Sequence, residues 1–131
     1  LRRAGGGLIV NISSVAGRLG YALRTPYAAA KWGVVGLTAS LAKELGPEGI
    51  RVNAILPGIV RGERINQVIA ARARSLGVTH QEVEQTYLDK VSLRTMVEPE
   101  DVAAMALFLA SPAGRNISGQ ALSVCGNVET L

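Results

Sequence analysis

Residues 8–17, LIVNISSVAG, and residues 25–33, TPYAAAKWG, decide how this chain reads. The first stretch opens with a short continuous apolar and β-branched run, Leu8 to Ile12, the pattern of a strand buried on both faces. It ends in two hydroxyls, Ser13 and Ser14. The second stretch opens a helix: Thr25 can cap it, and Pro26 suits the first turn, where its missing N–H leaves no bond unmade. Tyr27 and Lys31 then stand four residues apart and share a helix face. A strand ending in a hydroxyl, followed through a short loop by a helix with that pair, is the layout of a proton-transfer site. A free phenol titrates near pH ~10, and a fixed ammonium beside it favours the phenolate, bringing the group toward the range of efficient general acid–base chemistry. Ser14 would then hydrogen-bond the oxygen of the reacting alcohol or carbonyl.

Outward from this pair, strands alternate with helices. The helix is expected to run to about Leu45, where Gly46 and Pro47 stop it. Arg51 to Leu56 reads as a second strand, with Pro57 and Gly58 turning away from its end. Glu63 to Lys90 reads as two short helices broken near Gly77, with Thr79 capping the second. Pro99 to Ala110 is a helix with Glu98, Glu100 and Asp101 at its positive end, and Gln120 to Val124 is the last strand. Such alternation predicts an α/β fold with parallel pairing through right-handed crossovers and the carboxyl ends of all strands on one rim. Open α/β sheets bind ligands at that rim, and Ser13, Ser14, Pro57, Gly58 and Cys125 all fall there. The segment 61–96 is long for a connection, and is expected to be a mobile substrate-binding lid.

The serine followed about a dozen residues on by Tyr-x-x-x-Lys, here Ser14, Tyr27 and Lys31, resembles the signature of the short-chain dehydrogenase/reductase family. The resemblance continues through IRVNAILPGIV, VEPEDVAAMALFLAS and ISGQALSVCGN, so it covers essentially the whole chain. It implies the carboxy-terminal part of a Rossmann-like doubly wound sheet and an NAD- or NADP-dependent oxidoreductase acting on a small-molecule secondary alcohol or ketone. Tyr27 would be the proton donor or acceptor, Lys31 would assist it and hold the nicotinamide ribose, and Ser14 would orient the substrate. By the same resemblance, Pro57, Gly58 and Val60 approach the nicotinamide. Arg61 stands where many relatives have threonine.

The family's dinucleotide fingerprint, a glycine-rich turn between a strand and a helix, has no counterpart here. Gly5, Gly6 and Gly7 precede a strand and so cannot present a helix amino terminus to a pyrophosphate. With 131 residues and Leu1 at its start, the chain is expected to be one partial domain, the carboxy-terminal half of an enzyme. The rival expectation is a non-catalytic binding or assembly module on the same fold.

Composition narrows the other classes. An apolar content of 48% with 18% charged residues is ordinary for a globular domain. No apolar run approaches the ~20 residues of a membrane span, and a single cysteine suits a reducing, cytoplasmic setting. The net charge of +4 is spread over scattered arginines with only 4% aromatic residues, which gives no nucleic-acid stacking platform. No His and Cys cluster has metal-ligand spacing; His80 reads as a solvated helix-start residue, Glu82 and Glu84 as a solvated face, and Cys125 as a small residue at a strand end. Arg24, three residues before Tyr27, reads either as exposed surface or as a cation pointing into the substrate cleft. The long helix is rich in small residues, among them Ala28, Ala29, Ala30, Gly33, Gly36, Ala39 and Ala42. Internal glycines cost ~1 kcal/mol each against alanine, so close packing is expected there, on the helix's own sheet or across a subunit interface. The family resemblance favours the interface and hence a homodimer or homotetramer.

Overall fold

The computed structural model describes all 131 residues. Three strands, β1 (Gly7–Ile12), β2 (Ile50–Pro57) and β3 (Ala121–Val124), form one parallel sheet in the order β1-β2-β3. Ile12 lies opposite Ile55, and Ala54 opposite Ala121, so the carboxyl ends of all three strands meet on one rim as expected. Four helices complete the chain: α1 (Thr25–Leu45), α2 (Glu63–Leu76), α3 (His80–Leu88) and α4 (Pro99–Ala110). No helix is long and apolar enough to cross a membrane.

The central strand explains why its sequence is apolar without alternation. Val52, Asn53, Ala54, Ile55 and Leu56 are all wholly buried. Successive strand residues point to opposite faces, so both faces of β2 are covered. Helix α1 packs on β1 and β2, and α4 packs on β2 and β3. Burying Val52, Ile55 and Leu56 stabilises the fold by roughly 1.5–3 kcal/mol per side chain. Asn53 is the polar exception, and both ends of its amide are satisfied. Its Nδ2 donates to the Ile117 carbonyl at 2.8 Å, and its Oδ1 accepts from the Gln120 N–H at 3.0 Å. The amide thereby fixes where the chain enters β3.

The segment 61–96 is a folded excursion, not an irregular loop. Ile69 and Ala73 of α2, Val83 of α3 and Met96 form a small core of their own. Gly77 ends α2 in the left-handed conformation, with φ 66°. Thr79 then caps α3 in a reciprocal box: the Glu82 N–H donates to Thr79 Oγ1 at 3.1 Å, and the Thr79 N–H donates to Glu82 Oε2 at 2.7 Å. Glu82 is exposed, in line with its reading as part of a solvated face, and is a capping partner as well. At the base, Val60 bridges to Val97, with the Arg61 N–H donating to the Val97 carbonyl and the Val97 N–H to the Ile59 carbonyl, each at 2.8 Å. The excursion leaves and returns at one point.

One further expectation needs correction. Thr25 does not cap α1; Arg24 occupies the cap position and makes no side-chain cap bond, because its N–H donates to the Tyr21 carbonyl in a turn that brings Thr25 into the helix already. Of the two packings left open for the small residues of α1, Gly33 and Gly36 take no part in one against the sheet: a Cβ at either would meet nothing within 4 Å.

Candidate active site

Three contacts seat α1 against the end of β1. Asn11 Nδ2 donates to Thr38 Oγ1 at 3.0 Å, and Thr38 is the one buried residue of α1. Ser13 Oγ donates to the Lys31 carbonyl at 2.8 Å. Lys31 Nζ reaches the Ile12 carbonyl at 3.4 Å. Together they hold the Tyr27 and Lys31 face of α1 at the rim where β1 ends.

The two serines, alike in sequence, differ in what they are free to do. Ser13 is buried, and its hydroxyl proton is given to Lys31. Ser14 opens the short helical turn Val15–Gly17 and only accepts, from the Ala16 N–H at 3.1 Å. A hydroxyl carries one donor and two acceptor lone pairs, so Ser14 keeps its proton for another oxygen. Gly17 closes that turn against α1: a Cβ there would lie 2.6 Å from Ser13 Oγ and 2.8 Å from the Lys31 carbonyl oxygen. Only glycine fits, because backbone meets backbone.

The Tyr27 ring is surrounded by cations and one other ring. Lys31 Nζ lies 5.6 Å from its centroid and Arg24 Cζ 5.2 Å. Tyr21 meets it edge to face at 6.2 Å between centroids. Both cations lie within the range of attraction to an aromatic ring.

Of the residues expected at the nicotinamide, Pro57 ends β2 and Gly58 follows it, with the Gly58 N–H donating to the Val124 carbonyl at 2.9 Å. The close approach that Gly58 permits is to Cys125: a Cβ at Gly58 would come within 2.8 Å of its Cα and Cβ. Val60 is held in the bridge to Val97. Val15, Val91 and Val128 close the floor of the rim, with Leu19, Ile59, Cys125 and Leu131 packed around them.

Arg18 was not singled out in the sequence, nor were the contacts that Arg61, Glu84, Glu98 and His80 make with one another. Arg18 ties the turn after β1 to β3, donating to Ser123 Oγ at 2.9 Å and to the Ala121 carbonyl. Arg61 is clasped to Glu98 at 2.8 Å, with Glu84 4.0 Å away and His80 3.8 Å from Glu84. Glu84 thus extends the Arg61–Glu98 pair across the base of the excursion, with His80 beside it. The hydrogen bond and charge of Glu98 hold the Arg61 guanidinium above its already high proton affinity. An open cleft of about 650 Å³ lies beside this clasp, lined by Arg61, Gly62, Glu63, Asn66, Gln67 and His80, among others. Apart from His80 and Glu84, four residues apart on α3, these contacts join residues far apart in the chain, and no spacing signal marks them.

Residues 1–127 match the family model described as enoyl-(acyl carrier protein) reductase. A putative ketoacyl reductase of the monensin polyketide synthase from Streptomyces virginiae is 39% identical over 122 residues, covering 93% of this chain and 47% of that protein. Among solved structures, an actinorhodin polyketide ketoreductase variant with NADPH aligns with a TM-score of 0.88 at 36% identity, covering 98% of this chain and 49% of that one. A 7α-hydroxysteroid dehydrogenase complexed with NADH and 7-oxo glycochenodeoxycholic acid aligns with a TM-score of 0.84 at 36% identity, over 99% and 48% of the two chains. The chain spans about half the length of the relatives it matches.

Proposed function

The chain belongs to the short-chain dehydrogenase/reductase family, and from that premise we propose that it forms the catalytic, carboxy-terminal half of an NAD(P)-dependent oxidoreductase interconverting a secondary alcohol and a ketone. The observation that carries the reading is the division of labour at the end of β1. Ser13 locks α1 in place, Ser14 keeps a free hydroxyl proton, and Tyr27 and Lys31 share the adjoining helix face.

In the reducing direction, Tyr27 gives its phenolic proton to the substrate oxygen while Ser14 donates a hydrogen bond to the same oxygen. The Lys31 ammonium, beside the ring, stabilises the phenolate left behind. In oxidation the proton moves back. The nicotinamide, when bound, supplies or accepts the hydride. The residues present fit its ribose end: an ammonium has three N–H donors, and Lys31 directs one at Ile12, leaving others for ribose hydroxyls. Pro57, Gly58 and Val60 are assigned to the nicotinamide side on the family pattern. No glycine-rich strand-to-helix turn for the pyrophosphate occurs in these residues, since Gly5 to Gly7 run directly into β1. That part belongs to the amino-terminal half of the enzyme in this proposal.

The excursion 61–96 is assigned as the wall or lid over the substrate. The exposed face of α1, with Trp32 and Leu37 about half exposed and open space at Gly33 and Gly36, is assigned to contact with a second copy in a dimer or tetramer. The lone cysteine, Cys125, suits a cytoplasmic enzyme.

A second reading, reduction of a carbon–carbon double bond, has the description of the matching family model in its favour. Following nicotinamide absorbance with a 3-oxoacyl thioester, a cyclic ketone and a 2-enoyl thioester separates the two. Turnover of the ketones alone supports the proposal, and turnover of the enoyl substrate alone overturns it.

A further inference from the structure

Arg24 is the one arginine whose guanidinium is fixed by aromatic rings, and one of those rings is Tyr27. Its Cζ stands 5.2 Å from the Tyr27 centroid and 5.4 Å from that of Tyr21, while the two rings meet edge to face at 79°. Contacts within about 6 Å of a ring face are attractive, and guanidinium stacks well on such faces. The donors of that guanidinium are uncommitted. Arg18, Arg51, Arg61 and Arg94 donate to neighbouring side chains or carbonyls, and Arg2 pairs with Glu48. Arg24 takes part in none of the four ion pairs. Arg64, Arg72 and Arg74 on α2 are likewise outside those pairs, but no ring holds them in one place.

The surroundings have the same sign. No Asp or Glu precedes Glu44, while Arg2, Arg3, Arg18, Arg24, Lys31 and Lys43 all do. The stretch that builds the rim around Tyr27 therefore offers Arg24 no internal carboxylate. The approach to Arg24 is also strained: Leu23, fully exposed, adopts φ 62°, a left-handed backbone that is uncommon for a bulky side chain. Strain of this kind persists where the surroundings enforce a particular direction of the chain, and it clusters at binding sites.

We propose that Arg24 is a specificity residue that receives an anionic group of the substrate, a phosphate or a carboxylate, beside the carbon that reacts at Tyr27. The inference rests on the reading of Tyr27 as the proton-transfer residue. A guanidinium presents a planar fork of N–H donors that matches either oxyanion in two parallel bonds. Tyr21 and Tyr27 hold the fork in place before substrate arrives, which reduces the entropy lost on binding.

The test is carried out on the complete enzyme with matched ketones that differ only in the group beside the reacting carbonyl: a carboxylate, a phosphate, or the neutral methyl ester. The wild type is expected to prefer one or both anions over the ester in kcat/KM. Arg24→Gln should reduce that preference by about 10- to 100-fold, the range expected for losing a hydrogen bond to a charged group, with the loss in KM for the anionic ketone. Arg24→Lys should keep part of it. The carboxylate and phosphate arms identify which anion is recognised. No anionic preference in the wild type, or a preference that survives Arg24→Gln, overturns the proposal. So does an equal fall on charged and neutral ketones with a displaced pH profile, which would make Arg24 a positioning residue for Tyr27. A rise confined to KM for the nicotinamide cofactor also overturns it, by assigning Arg24 to the cofactor. Tyr27→Phe in parallel keeps the premise separate: full turnover there refutes the catalytic reading itself, whereas its loss alongside an intact anionic preference in Arg24→Gln refutes only the role of Arg24.

Discussion

Replacing Gly17 by Ala should both destabilise the fold and disable the site, because one contact serves both. The added Cβ would lie 2.6 Å from Ser13 Oγ and 2.8 Å from the Lys31 carbonyl oxygen, where ordinary contact begins at 3.4 Å. The shortfalls are about 0.8 and 0.6 Å, and something must move to absorb them. If Ser13 rotates away, its buried hydroxyl loses its acceptor, at a cost of about 1–3 kcal/mol. If α1 shifts instead, overpacking costs about 1–3 kcal/mol. Some of each gives a loss of roughly 2–4 kcal/mol, a fall in Tm on the order of 10 °C. Movement of α1 also carries Lys31 and Tyr27 away from Ser14, and a displacement near 1 Å can lower turnover by about 10²-fold. Thermal unfolding and steady-state turnover of Gly17→Ala, Ser13→Ala and the double variant measure this. Removing the Ser13 hydroxyl relieves the shorter contact, so the double variant should lose less than the sum of the singles, with a coupling of about 1 kcal/mol or more. A Gly17→Ala enzyme with unchanged Tm and turnover would refute the packing on which the geometry rests.

Lys31→Met should sharply lower or abolish activity, because the ammonium beside the Tyr27 ring is lost, and it should weaken nicotinamide binding; unchanged turnover and affinity would make Lys31 a bystander. The Arg61 clasp should respond to salt and not to ordinary pH. Glu98 raises the Arg61 proton affinity, so the folded-state cation is fully present below its unfolded pKa and lost only above the raised value, far outside about pH 5 to 9. Screening at 1 M salt, with a Debye length of about 3 Å, should by contrast increase proteolysis of the α2 and α3 excursion, and Arg61→Gln should reproduce that increase without salt. A clasp that opens on moving from about pH 9 to 7, or an excursion indifferent to both salt and Arg61→Gln, would contradict this.

The elements that were legible in the sequence are those whose signals are local. Leu8 to Ile12 and Arg51 to Leu56 read as buried strands because unbroken apolar runs reflect cover on both faces, and the strands extend one residue further at most ends. Gly77 and Thr79 marked the break between α2 and α3 because a left-handed stop and a capping hydroxyl act within one turn. The pairing of Tyr27 with Lys31 followed from helical spacing alone. What could not be read depends on contacts across the chain. Ser13 and Ser14 are indistinguishable until Lys31 claims one of them. Arg18 finds Ser123 over 105 positions, and Gly58 is required by Cys125. Thr25 looked like a cap because the preceding turn, closed by the Tyr21 carbonyl, carries no sequence mark. The small residues of α1 suggested close packing on the sheet or a partner, and the open space at Gly33 and Gly36 removes the first account for those two positions.

The most direct measurement compares wild type and Tyr27→Phe in the complete enzyme by two readouts: nicotinamide fluorescence for cofactor binding and nicotinamide absorbance for ketone reduction. The ring and its contacts with Tyr21, Arg24 and Lys31 remain in the variant, while the transferable proton is gone. Cofactor affinity should be retained and turnover should fall by at least ~10²- to 10⁴-fold, the contribution typical of a general acid–base. Near-normal turnover in Tyr27→Phe would contradict the assignment of this chain as the proton-transferring half of an oxidoreductase.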